Sequence, residues 1–342
     1  MKIKMGGKTV WFDIDNTPHV PLFVPIINHL KKEGYTVIVT ARNFAQTLAL
    51  LEKHKIQYLR VDGHGGANKL KKFFSTLKRA YRLYYLLRSY KIDLMINHGA
   101  RAGIIAAKLL GIPVISAFDY EYTELMILKK FSDLILIPEA LRSKFKGEKF
   151  FYYDGLKEEV YLCDFEPDRN FVQDLPFSDL DKPLVTIRPP AIYANYHNKS
   201  AEDIYRGVLD YLLSHDCNII LLPRYTNLIT ESKIKSNKIF IPNIPLDGAN
   251  LVFYSDLVIS GGGTMLREAA ILGTPAYSIF TGLPALIDIN LSKQGKLEFI
   301  KTLTDISKIK VEKKNKNSYK KPDSKVKSFF IQIIVNYFNN KA

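Results

Sequence analysis

SDLVISGGGTMLREAAILGTPAYSIF, residues 255–280, contains the clearest indication of the fold. DLVIS at 256–260 and PAYSIF at 275–280 have the apolar composition of buried strands, and the residues from about 264 to 272 between them follow a helical pattern. Three consecutive glycines join the first strand to the helix, so backbone N–H groups can approach an anion with no Cβ in the way. Because a helix N-terminus carries partial positive charge, the turn predicts a diphosphate site.

The side chain that accompanies this turn is Glu268, which falls about one turn into the helix. A carboxylate there is placed to accept hydrogen bonds from the vicinal hydroxyls of a sugar. The motif is not the dinucleotide fingerprint GxGxxG, and it is not a phosphate loop that ends in GK[ST]. The alternative interpretation is a tight strand-to-helix turn with Glu268 in solvent.

The same alternation of short apolar strands and amphipathic helices runs through the rest of the chain. It begins at VWFDI, residues 10–14, and is interrupted from about 160 to 182, where acidic, Pro and Asn residues follow no period. This pattern predicts two doubly wound parallel sheets, each covered by helices on both faces, with ligands in the cleft between them. The predicted domains are residues 1–165, residues 180–305, and a Lys-rich linker with a C-terminal helix at 306–342.

Residues 255–280 resemble the nucleotide-sugar half of GT-B enzymes. They are similar to the peptidoglycan N-acetylglucosaminyltransferase that makes lipid II and to the non-hydrolysing UDP-N-acetylglucosamine 2-epimerase, in which a Gly-containing turn precedes a helix with a glutamate and then a G-x-P. The matching positions are Gly261, Gly262, Gly263, Thr264, Glu268, Gly273 and Pro275. The resemblance implies a GT-B fold, two Rossmann-like domains facing across a cleft, and a ribose-binding role for Glu268. LVTIRPP at 184–190 resembles the first strand and loop of that half, which implies that Arg188 holds the diphosphate.

The opening WFDIDNTPHV, residues 11–20, is the hallmark of a prokaryotic group, the domain of unknown function 354 family. The resemblance to that group spans about residues 8–305. The opening also has the layout of the loop and helix that begin the transferase. His19 matches the histidine of that loop, and Asn16, Thr17 and Pro18 replace its glycines.

Three loops of the first half follow strands of one sheet, so we expect them to converge on the cleft. An imidazole or carboxylate there can remove a proton from an acceptor hydroxyl. The predicted catalytic residues are His19, Asp13 and Asp15, and the predicted acceptor-binding residues are Asn16, His98, Arg101 and Asp119. In the alternative interpretation His19 is a structural hydrogen-bonding group and Asp13 caps the turn or the helix.

WFDIDNT at 11–17 also has the form in which haloacid-dehalogenase-type phosphatases begin. In that alternative Asp13 is the nucleophile, Asp15 is the acid/base and Mg²⁺ neutralises charge. Such enzymes need an acidic pair after a later strand, whereas glycines follow DLVIS and HGARAG follows LMIN. The GT-B interpretation requires neither a metal nor a cofactor, because protein dipoles and arginine can stabilise the departing diphosphate.

The chain carries 49 Lys+Arg against 34 Asp+Glu, a net charge of +15. Part of the excess lies in residues 69–91, where Phe and Tyr alternate with Lys and Arg, a composition that suits the headgroup region of an anionic membrane. The alternative is an ordinary crossover helix with its aromatics in the core. No nucleic-acid recognition motif is present, so we expect no nucleic-acid partner.

Two cysteines in no metal-ligand spacing, no apolar signal region and no long apolar stretch predict a cytoplasmic protein, associated at most with the inner face of the membrane. Taken together, the sequence predicts a GT-B glycosyltransferase that uses a nucleotide-diphosphate sugar and a lipid-linked or glycan acceptor in cell-surface polysaccharide or glycolipid synthesis. The alternatives are a nucleotide-sugar epimerase, the phosphatase above, and a protein that binds nucleotide sugars without catalysis.

Overall fold

The computed structural model describes residues 7–62, 69–190, 199–223, 236–315 and 319–339. The glycine-rich segment 63–66, which the sequence predicts to be a loop, lies outside them. Two compact units make up the chain. Unit 1 consists of Met1–Tyr161 with Asp323–Ala342, and unit 2 is Leu162–Pro322.

Unit 1 is built on a seven-stranded parallel sheet of strand order β3-β2-β1-β4-β5-β6-β7. Its strands are β1 (Thr9–Ile14), β2 (Thr36–Ala41), β3 (Leu59–Arg60), β4 (Leu94–His98), β5 (Val114–Ala117), β6 (Leu134–Pro138) and β7 (Phe150–Tyr153). Its helices are α1 (His19–Lys32), α2 (Thr47–Lys53), α3 (Lys69–Leu87), α4 (Arg101–Leu109), α5 (Met126–Phe131) and α6 (Glu159–Leu162), the last of which ends at the boundary between the units. The order reverses between β1 and β4, which is where ligands bind in doubly wound sheets.

Unit 2 repeats the plan on a six-stranded parallel sheet of order β10-β9-β8-β11-β12-β13. Its strands are β8 (Leu184–Arg188), β9 (Asn218–Leu221), β10 (Ile239–Phe240), β11 (Leu257–Ser260), β12 (Ala276–Ser278) and β13 (Glu298–Phe299). Its helices are α7 (Lys199–Ser214), α8 (Gly248–Tyr254), α9 (Gly263–Leu272) and α10 (Leu286–Lys293). Here the order reverses between β8, which ends at Arg188, and β11, which the glycine turn follows.

The C-terminal helix α11 (Lys325–Asn339) belongs to unit 1. Val326, Phe330, Ile334 and Phe338 recur every four residues and join the core of α1 and the neighbouring strands. Residues 306–322, which the sequence predicts as a linker that forms one segment with this helix, belong to unit 2 in the structure.

The segment from about 160 to 182, predicted as an interdomain linker, is in large part a piece of unit 2. Leu175 and Phe177 are buried against Leu184, Ile220 and Leu251. Two large apolar side chains in a polar segment are too few to produce a periodic pattern. The sequence therefore gives no sign that this segment packs against the sheet of unit 2.

The aromatic side chains of α3 are mostly in solvent. Phe73, Phe74, Tyr81 and Tyr85 are exposed, so the interpretation of these aromatics as core residues is wrong for these four. Among the described residues, no helix combines the length and the hydropathy that crossing a membrane requires.

Candidate functional site

Asp13, a predicted catalytic residue, lies beneath the carboxyl edge of the sheet in unit 1 and has no exposed surface. Arg79 of α3 donates to both of its oxygens, with Nη1 2.8 Å from Oδ2 and Nη2 2.6 Å from Oδ1. Thr40 donates a further hydrogen bond to Oδ1 at 2.7 Å. A carboxylate held in this way cannot reach a substrate, so we correct its role to a structural one. The same burial removes the nucleophile that the phosphatase alternative needs.

Close packing fixes this buried pair from a second side. A Cβ on Gly103 of α4 would lie 2.4 Å from Oδ2 of Asp13 and 2.6 Å from Cε of Met95. Only glycine lets α4 approach β1 this closely. Burial lowers the pKa of Arg79, but the carboxylate of Asp13 raises it by a larger amount, so the pKa of Arg79 lies above its usual value. Arg79 therefore stays charged at every physiological pH.

The next carboxylate along the chain, Asp15, is accessible and faces His19, the first residue of α1. Asp15 Oδ1 lies 3.2 Å from Nδ1 of His19. Burial raises the pKa of Asp15, but the hydrogen bond to His19 and the charges of His19, Arg79 and Arg42 lower it by a larger amount. The resulting pKa of Asp15 is about 2. Asp15 is therefore ionised at neutral pH. An ionised carboxylate beside the ring stabilises the imidazolium that forms when His19 accepts a proton.

A second imidazole stands beside the first. The ring centroid of His98, at the end of β4, lies 4.7 Å from that of His19. Burial lowers the pKa of His98, as does the charge of His19, and the neighbouring Asp119 opposes them without restoring the usual pKa. His98 is therefore neutral at pH 7. Two imidazolium cations at this distance would repel each other.

His98 contacts a buried cluster of charged side chains. Its Nε2 lies 3.4 Å from Oδ1 of Asp119, and Oδ2 of Asp119 lies 2.5 Å from Nζ of Lys157. Lys157 also pairs with Glu158 at 2.5 Å. The loops after β1, β4, β5 and β7 thus bring acids, imidazoles and an amine to one edge of the sheet, because parallel strands all end there.

The two other predicted acceptor-binding residues occupy the rim of this cluster. Asn16 accepts a hydrogen bond from the N–H of Thr17 at 2.9 Å, so its side chain helps to shape the turn before α1. Arg101 is the first residue of α4. Burial lowers the pKa of Arg42, and the positive charge of Arg101 adds to that lowering. Arg42 and Arg101 give the rim positive charge.

In unit 2 the strand register brings the predicted donor residues together. Arg188, the last residue of β8, stands opposite Ser260, the last residue of β11. The N–H of Gly261 donates to the carbonyl of Arg188 at 3.1 Å. A Cβ on Gly261 would lie 2.4 Å from Cα of Pro190, so the two backbones touch because this residue is glycine. Helix α9 then starts at Gly263, with its first residues partly exposed.

Glu268 is in the second turn of α9 and is only 8% exposed. Burial lowers the pKa of Arg188, and the charge of Glu268 opposes that change, which means that the two side chains are close enough to interact. Behind them Arg267 pairs with Asp288 of α10, Nε to Oδ1 at 2.8 Å. This pair fixes α9 against α10. The glycine turn, the guanidinium of Arg188 and the carboxylate of Glu268 follow the ends of β8 and β11 at one edge of the unit 2 sheet.

A family model, described as "Protein of unknown function (DUF354)", matches residues 8–340. The chain belongs to the DUF354 family. An uncharacterized protein of Methanocaldococcus jannaschii is 29% identical to it over 286 residues, which is 79% of this chain and 81% of that protein. The family predicted from the opening WFDIDNTPHV is therefore confirmed.

Solved structures show the fold of this DUF354 protein. The UDP-GlcNAc 2-epimerase of M. jannaschii, solved in complex with UDP-GlcNAc and UDP, is similar with a TM-score of 0.73 and 16% identity over 96% of this chain and 99% of that one. MurG of Acinetobacter baumannii is similar with a TM-score of 0.53 and 17% identity over 98% of this chain and 100% of that one. These likenesses confirm the predicted GT-B fold class.

Several residues of the two candidate sites are not predicted from the sequence. Arg79 lies inside a basic helix and looks like any of its solvated cations, and Lys157 follows a strand, β7, that was not predicted. Arg267 and Asp288 are 21 positions apart. The spacing of these residues along the sequence gives no signal of their contacts, which only the folded structure shows. Within the described residues, no group of three or more His, Cys, Asp or Glu side chains has the arrangement of a metal site.

Proposed function

We propose that this protein is a GT-B enzyme that acts on a nucleotide-diphosphate sugar, and that unit 2 binds the nucleotide. The observation that carries the proposal is the meeting of Arg188, the start of α9 and Glu268 at the carboxyl ends of β8 and β11. A guanidinium and the amides of a helix N-terminus suit a diphosphate. A carboxylate one turn further along suits ribose hydroxyls. Similarity to an epimerase solved with UDP-GlcNAc and UDP supports UDP as the nucleotide.

The reaction that we propose is transfer of the sugar to an acceptor hydroxyl. The acceptor oxygen bonds to the anomeric carbon, the bond from that carbon to the diphosphate oxygen breaks, and the nucleoside diphosphate leaves. His19, with ionised Asp15 beside it, takes the proton of the acceptor. Arg188 and the amides of Gly263 and Thr264, at the start of α9, stabilise the charge on the leaving group, since the N–H groups of Gly261 and Gly262 already donate to the Arg188 carbonyl and to Oγ of Ser260. The acceptor is a lipid-linked molecule or a glycan in cell-surface polysaccharide or glycolipid synthesis, at the inner face of the membrane.

A second candidate is epimerisation of the nucleotide sugar, which the similarity to a UDP-GlcNAc 2-epimerase favours. Inverting a carbon by proton removal and return needs an acid/base pair that flanks the sugar ring. Product analysis after incubation with the nucleotide sugar alone separates the candidates. Accumulation of an epimer with no acceptor present supports the epimerase and contradicts the transferase.

The test of the nucleotide site is a thermal-shift screen against UDP-sugars, UDP, UMP and free N-acetylglucosamine. A ligand that binds only the folded state at 100 times its Kd stabilises it by about 2.7 kcal/mol. We expect UDP and at least one UDP-sugar to raise the melting temperature, UMP to raise it less because it lacks one phosphate, and free sugar to have no effect. Equal shifts with UDP and UMP would contradict a diphosphate site. Binding without turnover in any product assay would instead support a non-catalytic binding protein.

A further inference from the structure

Helix α3 presents an apolar face to solvent. Phe73, Phe74 and Tyr81 are 56%, 66% and 59% exposed, and Leu77 and Tyr85 are exposed beside them. With 3.6 residues per turn, positions 73, 77, 81 and 85 follow one another along one side of the helix, and position 74 falls in the same arc. The face they form, which we call the α3 face, is about 18 Å long at 1.5 Å per residue.

The opposite side of α3 is fixed in unit 1. Ala80, Leu83 and Leu87 are buried, α3 packs against α4, and Arg79 grips Asp13. The helix therefore cannot turn its aromatic side chains into the core without breaking a buried ion pair. An exposed apolar strip held by a rigid support is typical of an interaction surface.

The charges around the α3 face indicate what covers it. Lys71, Lys78 and Arg82 are exposed along one border, and the guanidinium of Arg88 lies 4.1 Å above the ring of Tyr85. The sequence from 63 to 92 contains no Asp or Glu. A second copy of the chain on this face would bring cations against cations, whereas an anionic surface would neutralise them.

We propose that the α3 face docks the protein on the surface of an anionic membrane, with α3 lying in the plane of the interface. The apolar side chains enter the boundary between headgroups and acyl chains, and the bordering cations contact lipid phosphates. A nucleic acid also carries phosphates, but it has no acyl region to receive Phe73, Phe74 and Leu77. Docking goes beyond the proposed nucleotide-sugar chemistry and does not depend on it.

The experiment is sedimentation of the full chain with vesicles of phosphatidylglycerol and phosphatidylcholine, and with vesicles of phosphatidylcholine alone. We expect binding to the mixed vesicles, little binding to the neutral ones, and a loss of binding as salt is raised. The variant K71Q/K78Q should lower the partition coefficient by about tenfold or more. The variant F73S/L77S/Y81S should reduce binding at least as much.

Matched controls separate the α3 face from general surface properties. K293Q/K296Q removes two exposed lysines of unit 2, and I244S removes an exposed apolar side chain there. Both should bind vesicles like the wild type, and all variants should keep the wild-type circular dichroism. The proposal is overturned by equal binding to neutral vesicles, by controls that lose as much binding as the α3 variants, or by no sedimentation. It is also overturned if the α3 substitutions abolish only dimer formation or only binding of a fluorescent oligonucleotide.

Discussion

Replacing Arg79 with methionine is expected to lower the free energy of unfolding of unit 1 by about 3–5 kcal/mol, the usual cost of removing one partner of a buried ion pair. Arg79 is 3% exposed and supplies both bonds to Asp13 as well as one from Nε to the carbonyl of Val61 at 3.1 Å. In the variant the Asp13 carboxylate stays buried and, among the described residues, keeps the hydroxyl of Thr40 as its partner. Methionine fills much of the same volume, so the loss reports the uncompensated charge.

Unit 1 carries its own reporter for this measurement. Trp11, the single tryptophan of the chain, is fully buried on β1, and its indole N–H donates to Thr40 at 2.8 Å. Thr40 in turn donates to Asp13, so the fluorescence of Trp11 follows the region where the charge is left unpaired. Urea unfolding of the wild type and R79M, followed by this fluorescence, gives the change in stability.

The neighbouring exposed Lys78 provides the control, and K78M should change stability by no more than about 0.5 kcal/mol. The double variant D13N/R79M should be more stable than R79M alone, because it removes the buried charge together with its partner. A loss below about 1 kcal/mol in R79M, or a double variant less stable than the single one, contradicts a structural role for the ion pair.

Replacing His19 with glutamine is expected to reduce turnover of the nucleotide sugar by about 10²–10⁴-fold, the range that general acid–base catalysis contributes. Glutamine keeps hydrogen-bonding capacity but does not accept the proton. Because His19 belongs to unit 1 and the proposed nucleotide site belongs to unit 2, affinity for UDP should stay at the wild-type value. The measurement is release of UDP for turnover and titration with UDP for binding.

His29, at the other end of the same helix, is the matched control. H29Q should keep wild-type turnover, which excludes a general effect of losing an imidazole from α1. If H19Q turns over at more than about a tenth of the wild-type rate, or if it loses UDP affinity in proportion, His19 is not the base.

The fold was predictable because its signals are local. Strands such as LVTIR, 184–188, are bounded by turn residues and are found where the sequence places them. FFYY at 150–153 was missed as β7, because it follows a Lys- and Gly-rich stretch and an aromatic run does not by itself distinguish strand from helix. The sequence predicts a C-terminal helix within residues 306–342, but which core receives its apolar side chains depends on long-range packing.

The candidate site was predictable only in part. Parallel topology brings strand-end residues to one edge, so the meeting of Asp15, His19, His98 and Asp119 follows from the order of elements. Residues two positions apart share a face in a continuous strand, so the D-x-D spacing does not show which acid reaches the edge. In the structure β1 ends at Ile14, which leaves Asp13 in the strand and Asp15 in the turn after it. The sequence therefore does not distinguish Asp13 from Asp15, whereas the structure does, because Arg79 and Thr40 donate hydrogen bonds to Asp13.

The most direct measurement of the central claim is calorimetric titration of UDP into the wild type, E268A, E268Q and E298A. Glu268 is placed to accept hydrogen bonds from the ribose, and hydrogen bonds to a charged group contribute about 1.5–3 kcal/mol, so E268A should bind about 10–100-fold more weakly. E268Q should fall between E268A and the wild type. E298A, which removes an exposed glutamate of β13, should leave the affinity unchanged. If folded E268A binds UDP as tightly as the wild type, the nucleotide does not bind at the turn of residues 261–264.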